Sequence, residues 1–139
     1  MIREARPDDR ERLVAIQSAT LSQPWPELLE MAVEGISPVL VADDGSGPVA
    51  YALVVSDHPV ATVAELAVAP PLQGQGYGTA LFEALLDRLR SAGLERVRLT
   101  AKADDERARA FYETFDFTVE DELPEHYDDG DGVLLVRSL

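Results

Sequence analysis

The stretch ELAVAPPLQGQGYGTALFEALLDRL, residues 65–89, carries three patterns in succession. An apolar, strand-like run ends at a pair of prolines, and a loop then places glycine at Gly74, Gly76 and Gly78. Leucines spaced four residues apart mark one face of the helix that follows. Glycine is the least helix-favouring residue after proline. Its repetition where a helix must begin indicates that some group approaches this backbone more closely than a β-carbon would allow.

A strand, a glycine-rich turn and a helix N-terminus together favour the binding of an anion. Unpaired amide N–H groups converge there, and the helix dipole attracts negative charge. Two well-known phosphate loops do not fit. No Lys-Ser or Lys-Thr pair follows the glycines, which argues against a nucleoside-triphosphate P-loop. Glycine at every second position also differs from the G-x-G-x-x-G fingerprint of dinucleotide-binding domains.

The remaining sequence predicts a mixed α/β fold, with residues 1–139 forming a single domain. Hairpins come early in the chain, and a strand–helix–strand crossover lies in the middle. The predicted elements are a strand at 1–5, a helix from near Asp8 to 21, a helix at 25–35 that stops at Gly35, a hairpin at 38–57, a strand at 62–70, a helix to about 92, a strand at 95–101, a helix at 104–115 and strands at 117–121 and 132–139.

The charge balance is strongly acidic. Twenty-six Asp and Glu residues face twelve Lys and Arg residues, a formal net charge of -14, and Lys102 is the single lysine. Such a surface repels phosphates and anionic lipid, so we expect neither nucleic acid nor membrane partners. The acidity could concentrate a cationic substrate, or it could keep the protein dispersed at high salt. Because the acids are spread along the whole chain, the pattern favours the second, halophilic interpretation.

The sequence also argues against several covalent and membrane-bound classes of protein. It contains no cysteine, which excludes disulfides, thiolate metal sites and a cysteine nucleophile. The charged opening MIREARPDDRERL lacks the apolar core of a signal peptide, and no apolar run approaches the roughly 18 residues of a membrane span. We therefore expect a cytoplasmic protein.

The loop Gln73-Gly74-Gln75-Gly76-Tyr77-Gly78 fits the pattern Q/R-x-x-G-x-G/A and resembles the acetyl-CoA pyrophosphate loop of the GNAT N-acetyltransferases. The resemblance continues in LTAKADDERARAFYETFDF, residues 99–117, and in the opening IREARPDD. Within this family, the sequence is most similar to the ribosomal-protein N-terminal acetyltransferases. The resemblance implies an α/β (α+β) GNAT-like domain: a mixed, mostly antiparallel sheet of about six or seven strands, flanked by about four helices and splayed at its central strand. It also allows a homodimer.

The resemblance implies a binding site for acetyl-CoA without a metal. The amides of the glycine loop would hold the pyrophosphate, and the backbone of Leu66 and Val68 would pair with the pantetheine arm. The Val68 amide would donate to the thioester oxygen, which gains charge as an amine attacks. The expected coenzyme-binding residues are Leu66, Ala67, Val68, Gln73, Gly74, Gln75, Gly76, Tyr77, Gly78, Thr79, Asp105 and Tyr112.

Two proton transfers remain for protein side chains. Tyr112 matches the tyrosine that lies beside the coenzyme sulfur in the family, so it is the candidate proton donor; by spacing alone it is a core aromatic. The family's glutamate base corresponds here to Thr100, which cannot serve. Glu65 is the substitute we expect, directly or through water, although a solvent-facing carboxylate on a strand edge would look the same in sequence.

Other candidates have weaker signals. His58 and His126 have suitable intrinsic pKa values, but His58 precedes a proline in a turn and His126 lies in an acidic loop. Tyr127, in the same loop, lines the acceptor pocket or is a surface tyrosine. Trp25 lies in the region that forms the acceptor wall in relatives, or in the core.

Two positions depart from the family pattern. Asp105 replaces an asparagine that contacts pantetheine; an aspartate can cap the helix but cannot donate to a carbonyl. Asp116 replaces a glycine after the helix, where a left-handed residue is needed.

The acceptor is a small-molecule or peptide amine that the sequence does not identify. Two other functions stay open: a degenerate GNAT domain that binds acyl-CoA as a sensor or scaffold without catalysis, which the Thr100 departure favours, and a small acidic adaptor without coenzyme affinity.

If the acidity is an adaptation to salt, the melting temperature should rise as potassium chloride increases from dilute to molar, because the salt screens repulsion among carboxylates. Thermal unfolding followed by circular dichroism measures this. A melting temperature that stays flat or falls would favour the cationic-substrate interpretation instead.

Overall fold

The computed structural model describes residues 1–21, 24–36 and 39–139. Seven strands form one sheet in the order β1-β2-β3-β4-β5-β7-β6. All neighbouring strands are antiparallel except β4 and β5. The strands are β1 (Ile2–Glu4), β2 (Val39–Asp43), β3 (Pro48–Asp57), β4 (Val60–Val68), β5 (Arg96–Lys102), β6 (Thr118–Tyr127) and β7 (Gly130–Ser138). The predicted mixed, mostly antiparallel sheet is confirmed.

Four helices cover the two faces of the sheet. They are α1 (Arg10–Thr20), α2 (Pro26–Met31), α3 (Tyr77–Ser91) and α4 (Glu106–Glu113). A 3₁₀ turn at Pro7–Asp9 precedes α1, which therefore begins two residues later than the predicted start near Asp8. A π-helical turn, Ala32–Ile36, extends α2 through Gly35, the predicted stop.

The core has one apolar cluster on each face of the sheet. Leu13 and Ile16 of α1 pack with α2 against one face, where Tyr51 and Leu53 of β3 are fully buried. Helices α3 and α4 pack against the other face. Because successive side chains of a strand point to opposite faces, a strand buried on both faces must be apolar throughout. This explains the unbroken run of apolar residues in β3.

Phe82 of α3 is the centre of the second cluster. It is fully buried, and its ring lies within 6 Å of four others, with centroid distances of 5.8 Å to Phe111, 5.7 Å to Tyr112, 4.8 Å to Phe115 and 5.7 Å to Phe117. Aromatic rings tilted or edge-on to one another attract beyond the burial of their area. Phe82 therefore fixes α4, and with it Tyr112, against α3.

Phe82→Ala should lower the free energy of unfolding by about 3–5 kcal/mol, because it leaves a cavity among four rings. Equilibrium unfolding in urea measures the loss. Val119→Ala is the control: Val119 is 42% exposed, and a surface change of this kind should shift stability by less than about 0.5 kcal/mol. Equal stability of the two variants would contradict this account of the core.

Candidate active site

The structure has a cleft of about 730 Å³ where β4 and β5 separate. The two strands pair only through residues 60–62 and 96–98. Beyond those three residue pairs β4 continues to Val68 and β5 continues to Lys102, but the two strands no longer pair with each other. The predicted splay of the central strand is confirmed, and it begins at Val63, after the last residue of β4 that pairs with β5.

A β-bulge accompanies the separation. Leu53 of β3 faces Glu65, and the next residue, Val54, faces Val63, so Ala64 has no partner on β3. An extra residue in one strand bends that strand and increases its local twist. We infer that this bend turns the second half of β4 away from β5 and opens the cleft.

The cleft brings together nearly all the residues that the sequence predicted for the site. Gln75 is the exception, because it is exposed at the tip of the glycine loop and does not line the cleft. The predicted residues that do line the cleft are Glu65, Leu66, Ala67, Val68, Gln73, Gly74, Gly76, Tyr77, Gly78, Thr79, Asp105 and Tyr112.

The exposed edge of β4 presents backbone groups to the cleft. The Ala69 N–H donates to the Val49 carbonyl of the β3 side at 2.8 Å. In an antiparallel ladder alternate residues bond to the same neighbouring strand. Leu66 and Val68 therefore direct their backbone groups away from β3, to the side where β5 no longer pairs with β4. The Gln73 Nε2 donates to the Val68 carbonyl at 3.0 Å and ties the glycine loop to the end of β4.

The glycine loop ends in the N-terminus of α3. Gly76 is the N-cap residue with a φ of 91°, a left-handed conformation that favours glycine. The first helical hydrogen bond runs from the Ala80 N–H to the Gly76 carbonyl at 3.0 Å. The N–H groups of the three residues between them therefore have no partner within the helix. No heavy atom lies within 4 Å of the place that a β-carbon on Gly76 would take.

Tyr112 lies on α4, half-buried at the wall of the cleft. Its ring contacts Phe82, Phe111 and Phe117 at centroid distances of 5.7, 5.4 and 6.0 Å. Burial raises the pKa of the Tyr112 phenol to about 12, and the nearby charge of Asp105 adds to the shift. The phenol is therefore protonated at neutral pH and can donate a proton. Tyr112 is both a packed aromatic and a cleft residue, so the two interpretations of its sequence position are compatible.

Glu65 borders the cleft from the other face of the sheet, the face covered by α1 and α2. Its carboxylate accepts hydrogen bonds from the Tyr51 hydroxyl at 2.8 Å and from Gln17 Nε2 at 2.9 and 3.1 Å. Glu65 is partly buried, and two buried side chains hold its carboxylate, so it differs from a free carboxylate on a strand edge. Its role as the base stays a prediction. Glu65 and Tyr112 lie on opposite sides of the opening.

Thr100, Lys102 and Tyr127 form a third wall of the cleft. The Tyr127 hydroxyl donates to the Thr100 Oγ1 at 3.3 Å. The Lys102 ammonium donates to the Asp129 carboxylate at 2.6 Å, and this hydrogen bond raises the pKa of Lys102. Thr100 is thus engaged by a tyrosine and has no group that could remove a proton. Tyr127 lines the cleft, and its contact with an acceptor stays a prediction.

His126 and Tyr127 do not lie in a loop, as the sequence indicated, because β6 extends to Tyr127. The pairing of β6 with β7 is interrupted between Leu123 and Tyr127, and Glu125 there has a φ of 54°. A β-carbon on Gly132 of β7 would lie 3.1 Å from both His126 and Tyr127. The absence of that carbon lets the bulged strand pack closely and directs Tyr127 toward Thr100.

The structure also shows the positions of the other residues that the sequence singled out. His58 hydrogen-bonds the Gly93 carbonyl at 3.0 Å and does not line the cleft. Trp25 is 58% exposed, so it is not a core residue. The Asp105 Oδ1 accepts from the Ala108 N–H at 3.0 Å, which confirms the expected cap, and Asp116 has a φ of 66°, which confirms the left-handed position.

Sequence reasoning did not predict Gln17 and Tyr51, which hold Glu65, or Lys102 and Arg107, which line the cleft. Gln17 had a signal, because it lies four residues after Leu13 on the apolar face of α1, where a polar residue needs a partner. Tyr51 also had one, as the lone hydroxyl in the apolar run of β3. Arg107 and Lys102 are the cationic side chains that line the cleft.

Within the described parts of the chain, no three Asp, Glu or His side chains are arranged to hold a metal ion. Nor do the helices described there include one long and apolar enough to cross a membrane. The cytoplasmic location stays a prediction.

Comparison with known proteins gives the same family as the sequence motifs. The model of the Acetyltransferase (GNAT) family matches residues 4–117. A mycothiol acetyltransferase of Beutenbergia cavernae is 42% identical over 81 residues, which are 57% of this chain and 27% of the relative. A ribosomal protein bS18-alanine N-acetyltransferase of Salmonella typhimurium is 34% identical over 97 residues, 68% of this chain and 64% of the relative. The chain thus spans about a quarter of the first relative and less than two thirds of the second.

Solved structures show the same fold. The ribosomal-protein-S18-alanine N-acetyltransferase from Escherichia coli superposes with a TM-score of 0.91 at 24% identity, over 99% of this chain and 92% of that one. At this level of identity the likeness concerns the fold.

Proposed function

Because the chain belongs to the GNAT acetyltransferase family, we propose that it transfers the acetyl group of acetyl-CoA to an amine in the cleft between β4 and β5. The observation that carries this proposal is the juxtaposition of two unpaired backbone elements: the free edge of β4 at Leu66 and Val68, and the N-terminus of α3 at Gly76. A pantetheine arm needs the first and a pyrophosphate needs the second.

The residues present fit the coenzyme. Three amide N–H groups without helical partners begin α3, and the open space beside Gly76 allows a phosphate to approach the backbone. In a chain of net charge -14, Arg107 at the cleft adds to its attraction for an anion, whereas the other cationic lining residue, Lys102, is paired with Asp129. The glycine loop is held in place by the bond from Gln73 to Val68.

The coenzyme supplies the acyl group as an activated thioester, so the protein does not need a nucleophile of its own. The Val68 N–H, on the free edge of β4, would donate to the thioester oxygen as it gains negative charge. Tyr112, protonated at neutral pH, provides a proton for a departing thiolate. Glu65 receives a proton from the incoming amine, directly or through water, from the opposite side of the opening.

The acceptor is an amine that reaches the Glu65 side of the cleft. The relative from S. typhimurium is named for an alanine of ribosomal protein bS18, and the relative from B. cavernae is named for mycothiol. A peptide beginning with alanine is therefore the first acceptor to test, followed by polyamines, amino acids and aminoglycosides. Release of the coenzyme thiol reports transfer to any of them.

A domain that binds acyl-CoA without turnover is the second candidate, and Thr100 at the position of the family's glutamate favours it. Glu65 and Tyr112 at the same cleft argue for the enzyme. If the chain binds the coenzyme but no amine of the panel causes release of the coenzyme thiol, the result favours the binding domain.

Gly76→Ala should weaken acetyl-CoA binding by about tenfold or more, because its methyl group occupies the space where a phosphate meets the amides and charge-assisted hydrogen bonds contribute roughly 1.5–3 kcal/mol each. Isothermal titration calorimetry measures the Kd. Gly45→Ala is the matched control: Gly45 also has a positive φ, of 100°, and open space around it, but lies in the β2–β3 turn outside the cleft. Both variants carry similar backbone strain, so equal affinities would contradict the site.

Tyr112→Phe should lower kcat by roughly 10- to 1,000-fold, because it removes the proton donor and keeps the packed ring. The Kd for acetyl-CoA should change little, since the lost hydroxyl serves the chemical step. Steady-state kinetics with an accepted amine and calorimetry with the coenzyme separate the two quantities. An unchanged kcat would remove Tyr112 from the mechanism.

A further inference from the structure

A buried pair of polar side chains lies behind Glu65. Gln17 on α1 and Tyr51 on β3 both have 0% of their surface exposed. The Tyr51 hydroxyl donates to Glu65 Oε1 at 2.8 Å, and Gln17 Nε2 donates to Oε1 at 2.9 Å and to Oε2 at 3.1 Å. Burial raises the pKa of the Tyr51 phenol above its usual range, and the Glu65 charge adds to the shift, so Tyr51 stays protonated and is the donor.

The orientation of the Gln17 amide carries a cost in stability. Its Nε2 also donates to the Trp25 carbonyl at 3.2 Å, so this end of the amide faces three oxygens. Turning the amide would place an oxygen against all three. In the orientation present, the buried Gln17 Oε1 has no hydrogen-bond partner. An unpaired buried acceptor destabilises the folded state, and an apolar side chain of the same length would avoid that cost.

We propose that Gln17 and Tyr51 are positioning residues, which fix the Glu65 carboxylate at the cleft wall so that it can receive the proton of the incoming amine. This rests on the proposed function of Glu65. A glutamate side chain has several free torsions, and donors from two different elements restrict them. Both donors are neutral, so they orient the carboxylate and leave its negative charge available to an ammonium group.

The test is a double-mutant cycle in the full chain. Tyr51→Phe and Gln17→Met each remove one donor and keep the approximate shape of the side chain. Each should lower kcat by about ten- to a hundred-fold, the usual effect of losing a hydrogen bond to a charged group, with an unchanged KM for acetyl-CoA. In the Glu65→Gln background neither change should lower kcat further, because residues that act through one group are not additive.

The measurement is the release of the coenzyme thiol from acetyl-CoA. The amines of the panel are tried in turn, beginning with the peptide that starts with alanine, and the first one that is acetylated is used. Thermal unfolding is recorded for every variant. Gln17→Met should change the melting temperature little, because removal of the unpaired acceptor offsets the loss of the donor to Glu65 and to the Trp25 carbonyl. Ile16→Val is the matched control: Ile16 precedes Gln17 in α1 and is 4% exposed. This change should lower the melting temperature and leave kcat unchanged.

The outcomes separate the inference from the proposed function. If Tyr51→Phe or Gln17→Met lowers kcat equally with and without Glu65, the residue acts through packing and the inference is wrong. If Glu65→Gln loses activity and neither single variant does, the inference is wrong but the enzyme stands. If the parent chain binds acetyl-CoA and transfers no acetyl group to any amine, the proposed function fails, and the inference with it.

Discussion

The pairing between β4 and β5 ends after three residue pairs, at Thr62 and Arg98, and the candidate site depends on that interruption. A sheet that stayed paired to Val68 would bury the N–H and C=O groups that now face the cleft. The bulge at Ala64 bends β4 at the point of separation. Parallel strands elsewhere in proteins are covered on both faces, and here too helices cover both faces. The separation therefore produces a cleft with two differently built sides.

Each side of the cleft belongs to a different half of the core. Tyr112 is held by the aromatic rings around Phe82 on the α3 and α4 face. Glu65 is held by Gln17 and Tyr51 on the α1 and α2 face. One environment is apolar and keeps a phenol protonated; the other provides neutral hydrogen-bond donors to a carboxylate. The two proton transfers proposed for Tyr112 and Glu65 would thus take place in opposite surroundings, separated by the sheet itself.

The fold was predictable because its main signals are local. The glycine loop, the two prolines before it and the apolar face of α3 lie within one stretch of 25 residues, 65–89, and they predict the strand, turn and helix that the structure shows. The left-handed Asp116 and the Asp105 cap were predictable for the same reason, since a cap depends on its immediate neighbours.

The details of the site that were missed depend on distant contacts. Gln17 and Glu65 are 48 residues apart, and only the folded sheet and helix bring them together. The splay starts beside the bulge at Ala64, and no residue pattern marks the register shift of that bulge. The strand β6 was predicted too short because its acidic residues and Pro124 resemble a loop, whereas pairing with the apolar β7 holds them in a strand.

The irregular pairing of β6 also makes this edge of the sheet a poor template for an added strand. β6 is one edge of the sheet, and its pairing with β7 is interrupted both at Glu120 and between Leu123 and Tyr127. Pro124 lacks an amide hydrogen there, and the opposite edge, β1, is only three residues long. Regular exposed edges invite another strand to add and begin a fibre. Charge repulsion suppresses such growth in dilute buffer but is screened in molar salt, whereas interrupted edges resist it at any ionic strength.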